Sequence, residues 1–223
     1  MELAEVMRTT FAAREFTDQP VEDETLYRLV DLARFAPSGG NRQGWSVIVV
    51  REPETKAAIA RLAEPAARRY AAQRAAGEGP WNAVAPPSVS AEEIARTPPP
   101  RALTQPYIGA PVLLIVCVDL RVVASVDQHL DRVGVISGAS IYPFAWNLLL
   151  AARAVGLGGT LTTMPIAAEP ELKDLLGIPE HVAVSAIIPF GYPARRLTRL
   201  TRLPVEQITH RERWDGGPLT PGG

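Results

Sequence analysis

Two arginines stand near opposite ends of the sequence in short motifs, Arg14-Glu15-Phe16 and Arg202-Leu203-Pro204. A guanidinium presents a planar fork of N–H donors that matches phosphate oxygens, so each could hold a phosphorylated ligand; alone, each reads equally as a solvated surface arginine. Ser38, Gly39, Gly40 and Asn41 offer a hydroxyl, an amide and accessible backbone donors to a polar heterocycle, or else form a plain helix-to-strand loop. Gly156-Leu157-Gly158-Gly159-Thr160 is rich in glycine but follows a helix, whereas a dinucleotide fingerprint needs strand, turn, then helix, so the segment reads as a helix stop. No Walker-type phosphate loop is present, and a nucleotide, if bound, is bound another way. Hydrolytic chemistry finds little support. There is no Gly-x-Ser-x-Gly, and His129, His181 and His210 come without a companion nucleophile motif. Asp127, His129 and Asp131 could be oxygen and nitrogen metal ligands, or the cap and first turn of the helix that follows.

These residues need elements to hold them. A first short helix is expected over residues 3–12, broken before a second that begins near Glu22 and has Leu26, Leu29, Val30, Leu32 and Ala33 on one face. The loop APSGGNRQGW leads into a mostly buried strand at residues 45–50, then an alanine- and arginine-rich helix over about 54–76. Residues 77–111 carry eight prolines and read as a lid or arm with only residues 91–96 able to turn into helix. A central strand at 112–118 is followed by 133–152, a stretch without a single charge. A membrane span must be weighed there, but its glycines, serines, Pro143 and Asn147 favour a buried helix at a domain centre or subunit interface. A turn at 156–163, a short helix at 169–176, a strand at 182–190 and an arginine-rich tail complete a layered arrangement of sheet and helices in one domain.

Composition narrows the classes. The chain has 223 residues, 47% hydrophobic and 21% charged, which excludes a disordered or collagen-like chain. With 23 basic against 24 acidic residues the net charge is -1, so no global field attracts polyanions and nucleic acid is not an expected partner. The lone cysteine, Cys117, lies in an apolar run and supports neither a disulfide framework nor a thiolate zinc site, which fits a reducing compartment. The N-terminus has early acids and no apolar core of signal-peptide length, so a cytoplasmic protein is expected.

Taken in order, the pieces resemble the FMN-dependent nitroreductase family. The resemblance rests on Arg-x-Phe ahead of Pro-Val, the APSGGNRQGW loop and its strand, the strand APVLLIVC, and the uncharged segment ending AARAVGLGGTLTT. LLGIPE, Gly-Tyr-Pro and Arg-Leu-Pro-x-Glu follow in the expected order. The resemblance implies an α+β fold of three layers, α-β-α, with a central mixed, mostly antiparallel sheet flanked by helices. It further implies one domain over residues 1–223, a proline-rich lid or arm at about 77–111, a C-terminal arm at about 194–223, and an intertwined homodimer with FMN at the interface. Carried over residue by residue, Arg14 and Arg202 hold the FMN phosphate. Pro37, Ser38, Gly39, Asn41 and Gln43, from the partner chain, line the ribityl chain and the polar edge of the flavin. Backbone groups of Thr160, Leu161 and Thr162 approach the ring. One departure stands out: the family's Arg-x-Ser-x-Arg is reduced here to Thr10, Phe11, Ala12 and Arg14, so Arg8 and Thr10 are the candidate replacements. The implied activity is oxidation of NADPH or NADH with reduction of a small-molecule acceptor, a nitroaromatic or quinone, in two half-reactions without a dedicated catalytic side chain. The alternatives are a specialised flavin enzyme of the same fold (dehalogenase, flavin-destructive or metabolite dehydrogenase) and a flavin-binding protein without turnover.

Overall fold

The computed structural model describes residues 1–197 and 199–221. Its centre is the apolar run that becomes β2, Val112–Asp119, buried along nearly its whole length. β1 (Trp45–Val50) pairs with it on one side and β4 (Val182–Gly191) on the other, both antiparallel, and the two-residue β3 (Gly158–Gly159) pairs with β4, giving the order β1-β2-β4-β3. The parallel element of the sheet is small: among the described residues it is the bridge from Ala12 to Gly159. Strand alternation divides the core in two. Val112, Leu114 and Val116 face α2 (Asp23–Ala33) and α6 (Tyr142–Ala154), while Leu113, Ile115 and Cys117 face α3 (Pro53–Ala75) and α5 (Arg101–Gly109), which makes the three layers. As an edge strand, β1 is only half-buried, less than its apolar sequence leads one to expect.

Helix boundaries follow local chemistry. α1 spans Leu3–Thr9 rather than reaching residue 12, because Thr10 is extended and the hydroxyls of Thr9 and Thr10 turn back onto the carbonyls of Glu5 and Val6. In α2, Leu26, Leu29 and Ala33 are buried as expected, but Leu32 is 59% exposed. The uncharged stretch 133–152 is not one helix. Val133 and Val135 lie on the surface, a 3-10 turn occupies Ile136–Ser140, and α6 starts only at Tyr142, where Pro143 suits a first helical turn. No described helix is long and apolar enough to cross a membrane. Gly156, at φ +85°, ends α6 as the helix-stop reading expects, but the chain then enters β3 directly instead of forming a turn. A side chain at Gly159 would meet Ile188 Cγ2 and the Pro189 carbonyl at 2.8 Å, so glycine is what allows β3 to lie against β4.

The proline-rich segment holds more structure than its composition suggests. α4 (Ala91–Arg96) carries a full capping box between Ser90 and Glu93. α5 forms with Pro100 as its N-cap and Pro106 inside, and buries Tyr107 completely. Lys56 Nζ donates to the Ala110 carbonyl at 2.7 Å and ties α3 to the start of β2. α7 (Glu169–Leu176) ends at Gly177, φ +64°. Beyond residue 194 the described residues are largely exposed; a 3-10 turn at Val205–Gln207 precedes a small hook in which the Arg211 N–H reaches the Gly217 carbonyl and His210 stacks on Trp214 at 4.9 Å. Cys117 is buried, and burial together with the charge of Glu169 pushes its thiol up to about 11.

Candidate functional site

Thr10, Arg14, Thr160, Leu161 and Arg202 line one concavity of about 280 Å³, with Trp146 and Leu149 of α6. Its wall is fixed backbone. The Ala13 N–H donates to the Gly159 carbonyl at 3.0 Å, so Arg14 leaves the sheet immediately after an anchored residue, and Arg153 Nε donates to Thr9 Oγ1 at 3.0 Å, fastening the end of α1 to α6. Both guanidiniums are exposed. Arg14 makes a 3.4 Å contact with the Ala12 carbonyl and Arg202 one of 2.7 Å with the Thr201 carbonyl; among the described residues neither is ion-paired. Two cations without carboxylate partners beside one cleft form an arrangement suited to an anion. Of the two candidate replacements, Thr10 is buried with its hydroxyl donated to Val6, and Arg8 is exposed outside the cleft.

Past β3 the chain runs back along β4. The Thr162 N–H donates to the Ile187 carbonyl at 3.0 Å and its own carbonyl accepts from Ile187 at 2.9 Å. The Thr162 N–H and carbonyl are thus both paired within the sheet, and the backbone that lines the concavity is that of Thr160 and Leu161. The Thr162 hydroxyl meets the Tyr107 hydroxyl at 2.9 Å. Burial pushes Tyr107 up to about 12, with the Thr162 hydrogen bond and the Arg14 charge pulling the other way. A second recess of about 170 Å³ opens here, lined by Arg14, Leu103, Pro106, Tyr107 and the run 160–164.

The Ser38 loop lies elsewhere in the same chain. Ser38, Gly39 and Gln43 edge a shallow depression with Val118, Val122 and Ser140, and none of its lining residues belongs to the arginine cleft. The loop is internally braced: Ser38 Oγ accepts from the Gln43 N–H at 2.9 Å, the Gly39 N–H donates to Ser140 Oγ at 3.0 Å, and Gln43 Nε2 donates to Asn41 Oδ1 at 3.1 Å. Gly40, Asn41 and Gln43 all hold positive φ, at +62°, +53° and +50°. For the two non-glycines this costs roughly 1 kcal/mol each, and it presents Pro37, Gly39, Asn41 and Gln43 to solvent.

Sequence reasoning missed the apolar lining, namely Trp146, Leu149, Leu103, Pro106 and Tyr107. A tryptophan inside an uncharged helix was the available signal for the first; the helix α5 had none, its prolines pointing to irregular chain. Asp127, His129 and Asp131 do not converge, since His129 and Asp131 are exposed while Asp127 is buried and accepts from the backbone N–H groups of Val135 and Ile136 and from Arg132. Asp127 thus braces the loop before the 3-10 turn instead of capping a long helix; the Val135 N–H first, with Arg132 assisting, lowers its carboxyl to about 2.

A family model, the nitroreductase family, matches residues 7–192. The chain belongs to the nitroreductase family. Among its relatives are an iodotyrosine deiodinase of Nematostella vectensis, 29% identical over 206 residues covering 91% of this chain and 72% of that one, and an FMN reductase [NAD(P)H] of Bacillus subtilis (strain 168), 28% identical over 213 residues covering 89% and 69%. A crystal structure of oxidized iodotyrosine deiodinase bound to FMN and 3-iodo-L-tyrosine shares the nitroreductase fold, with a TM-score of 0.66 at 22% identity over 92% of this chain and 96% of that one.

Proposed function

We propose that this nitroreductase-family chain is an FMN-dependent oxidoreductase that uses NADPH or NADH to reduce nitroaromatics, quinones or related acceptors in two half-reactions. The observation that carries the reading is the pair of guanidiniums, Arg14 and Arg202, without an ion-pair partner among the described residues, beside a cleft lined by Thr160, Leu161 and Trp146. FMN fits this set: a phosphate for the two cations, and an apolar plane for Leu149, Leu161 and Trp146. When bound, FMN supplies the two-electron redox chemistry. The chain's own part is to clamp the phosphate, to present backbone at Thr160 and Leu161 toward the ring, and to keep water from it with Trp146 and Leu149.

The remaining contacts belong to Pro37, Ser38, Gly39, Asn41 and Gln43; Thr10 lines the phosphate end with its hydroxyl committed to Val6, and Arg8, outside the cleft, would contribute only by its charge. Because the Ser38 loop and the arginine cleft share no lining residue within one chain, we assign the loop at each site to a second copy, making the protein a homodimer. Exposed Tyr27, Leu32, Phe35, Leu203, Val205 and Trp214 are apolar surface for such a copy to cover, and the tail from about 194 is the arm that reaches across. We read residues 1–223 as one domain and place the protein in the cytoplasm, where its lone buried thiol stays reduced.

The experiment is a visible spectrum of the purified protein, before and after anaerobic addition of NADPH and then NADH. Yellow colour bleached by either nucleotide is expected; a colourless protein that refuses added FMN overturns the reading. Charge-assisted hydrogen bonds contribute about 1.5–3 kcal/mol, so Arg14→Ala and Arg202→Ala should each weaken FMN retention by roughly tenfold or more. Unchanged affinity in both would remove the phosphate assignment alone. Reductive dehalogenation is the second reading, favoured by the deiodinase relatives, and iodide release from 3-iodo-L-tyrosine with reduced protein tests it.

A further inference from the structure

A cavity of about 590 Å³ lies between α3, the segment after it, the start of α6 and the 3-10 turn at Met164–Ala168. Thr163 and Met164 line both this cavity and the recess beside Tyr107 and Thr160, so it adjoins the arginine cleft's neighbourhood. Three aromatic rings, Tyr70, Trp81 and Tyr142, form its walls with Met164, and no charged side chain lines it among the described residues. The polar atoms it does contain are occupied or neutral. The Tyr142 hydroxyl points to the Ser185 carbonyl at 3.4 Å, and the Ser185 hydroxyl donates to the Val116 carbonyl at 2.9 Å.

The Trp81 wall is held in place by a network that serves no other visible purpose. Trp81 has a backbone φ of +56°, a conformation a bulky residue adopts only when its surroundings impose it. Its N–H donates to Gln73 Oε1 at 3.1 Å, and Gln73, buried in α3, passes its own Nε2 to Glu78 at 2.9 Å. Glu78 in turn accepts from the Ser88 N–H at 2.6 Å and from its hydroxyl. The Arg69 guanidinium stacks on the indole, 4.0 Å from the ring centroid. Arg69 itself is not among the residues that line the cavity.

We propose that this cavity is the acceptor subsite, and that it selects neutral planar aromatic acceptors against charged or zwitterionic ones. The inference rests on the flavin reading above and deepens it. A flat ring gains stacking on Trp81, Tyr70 and Tyr142, whereas a carboxylate or ammonium carried into the same space loses its water without meeting an opposite charge. Specificity here comes from what the walls lack, and an amino-acid acceptor of the kind bound by the deiodinase structure finds no countercharge in this cavity.

The test uses three probes with one ring and different charge: nitrobenzene, 4-nitrobenzoate and 4-nitro-L-phenylalanine. Their binding to the oxidized protein is read by isothermal titration calorimetry, without NAD(P)H and therefore without turnover. Nitrobenzene should bind at least about tenfold tighter than either charged probe. Trp81→Leu, which keeps bulk but removes the ring, should weaken nitrobenzene by roughly tenfold, and Arg69→Met, which keeps the stem but removes the cation, by about two- to threefold. Flavin absorbance on the same samples reports whether each variant is folded. Charged probes that bind as tightly as nitrobenzene, or a Trp81→Leu protein that keeps full nitrobenzene affinity, overturn the proposal while leaving the flavin reading intact. A protein that takes up no FMN overturns the flavin reading and this inference with it.

Discussion

The arginine cleft and the Trp81 wall are held by different means. The cleft's wall is backbone locked into a sheet: Ala13 onto Gly159, Gly159 onto Phe190, Thr162 onto Ile187, all against fully buried strand residues. The Trp81 wall stands on side chains, Gln73, Glu78, Ser88 and Arg69, in a segment whose outer surface faces water. A site built on the sheet keeps its geometry when surface residues change. A wall built on a few polar side chains can be retuned one residue at a time, so on the proposed reading cofactor grip and acceptor choice should be separable.

The strongest way to break the contrast is at Gly159. A valine there puts its Cβ 2.8 Å from Ile188 Cγ2 and from the Pro189 carbonyl, both in buried β4, and should cost about 3 kcal/mol or more, seen as a fall in Tm and loss of bound flavin together. The next effect is at Gln73. Gln73→Leu leaves the Trp81 N–H without its acceptor and should cost about 1–3 kcal/mol of stability; it should weaken nitrobenzene binding several-fold while FMN retention stays within about twofold. Equal losses at both sites in Gln73→Leu would show that the two regions are mechanically one.

The smallest effect is a pH signature at the seam between them. Tyr107 is buried and its folded pKa is raised to about 12 from an ordinary value near 10, so the folded state binds this proton more tightly than the unfolded chain. Its contribution is complete below about pH 10 and is lost as pH rises toward 12. Tyr107→Phe should lower stability at neutral pH by about 0.5–1.5 kcal/mol and flatten the decline of stability between about pH 10 and 12, measured by denaturant melts across that range. An unaltered alkaline slope would mean that Tyr107 does not carry it.

What could be read from the sequence follows a physical line. β1, β2 and β4 were visible because an apolar run of six to ten residues has few other uses, and α2 was visible from the 3.6-residue spacing of Leu26, Leu29 and Ala33. β3 was not, since two glycines carry no pattern and its strand character comes entirely from Phe190 and Gly191 across from it. The stretch 133–152 misled because absence of charge reports burial or an interface but not helix, and Gly134, Gly138 and Pro143 allow helix only from residue 142. α5 is hidden for the opposite reason: prolines ordinarily break helices, yet Pro100 sits at the N-cap and Pro106 is retained inside a helix anchored by buried Tyr107. Of the candidate site, Arg14, Arg202 and the Ser38 loop could be proposed from motif order. The aromatic cavity could not, because Tyr70, Trp81 and Tyr142 are scattered over 73 positions, and only the packing of α3 against the 3-10 turn after Thr163 brings them together.

The burial of Cys117 bears on what the protein can survive. Quinones are soft electrophiles that add to thiolates, and a protein that reduces them meets them at every turnover. The lone thiol of this chain stands in the central strand, 2% exposed, with its pKa held at about 11, so at neutral pH almost none of it is thiolate and almost none of it is within reach. The chain is therefore armoured against alkylation by its own proposed acceptors for as long as it stays folded, and covalent quinone adducts on Cys117 would mark molecules that have opened.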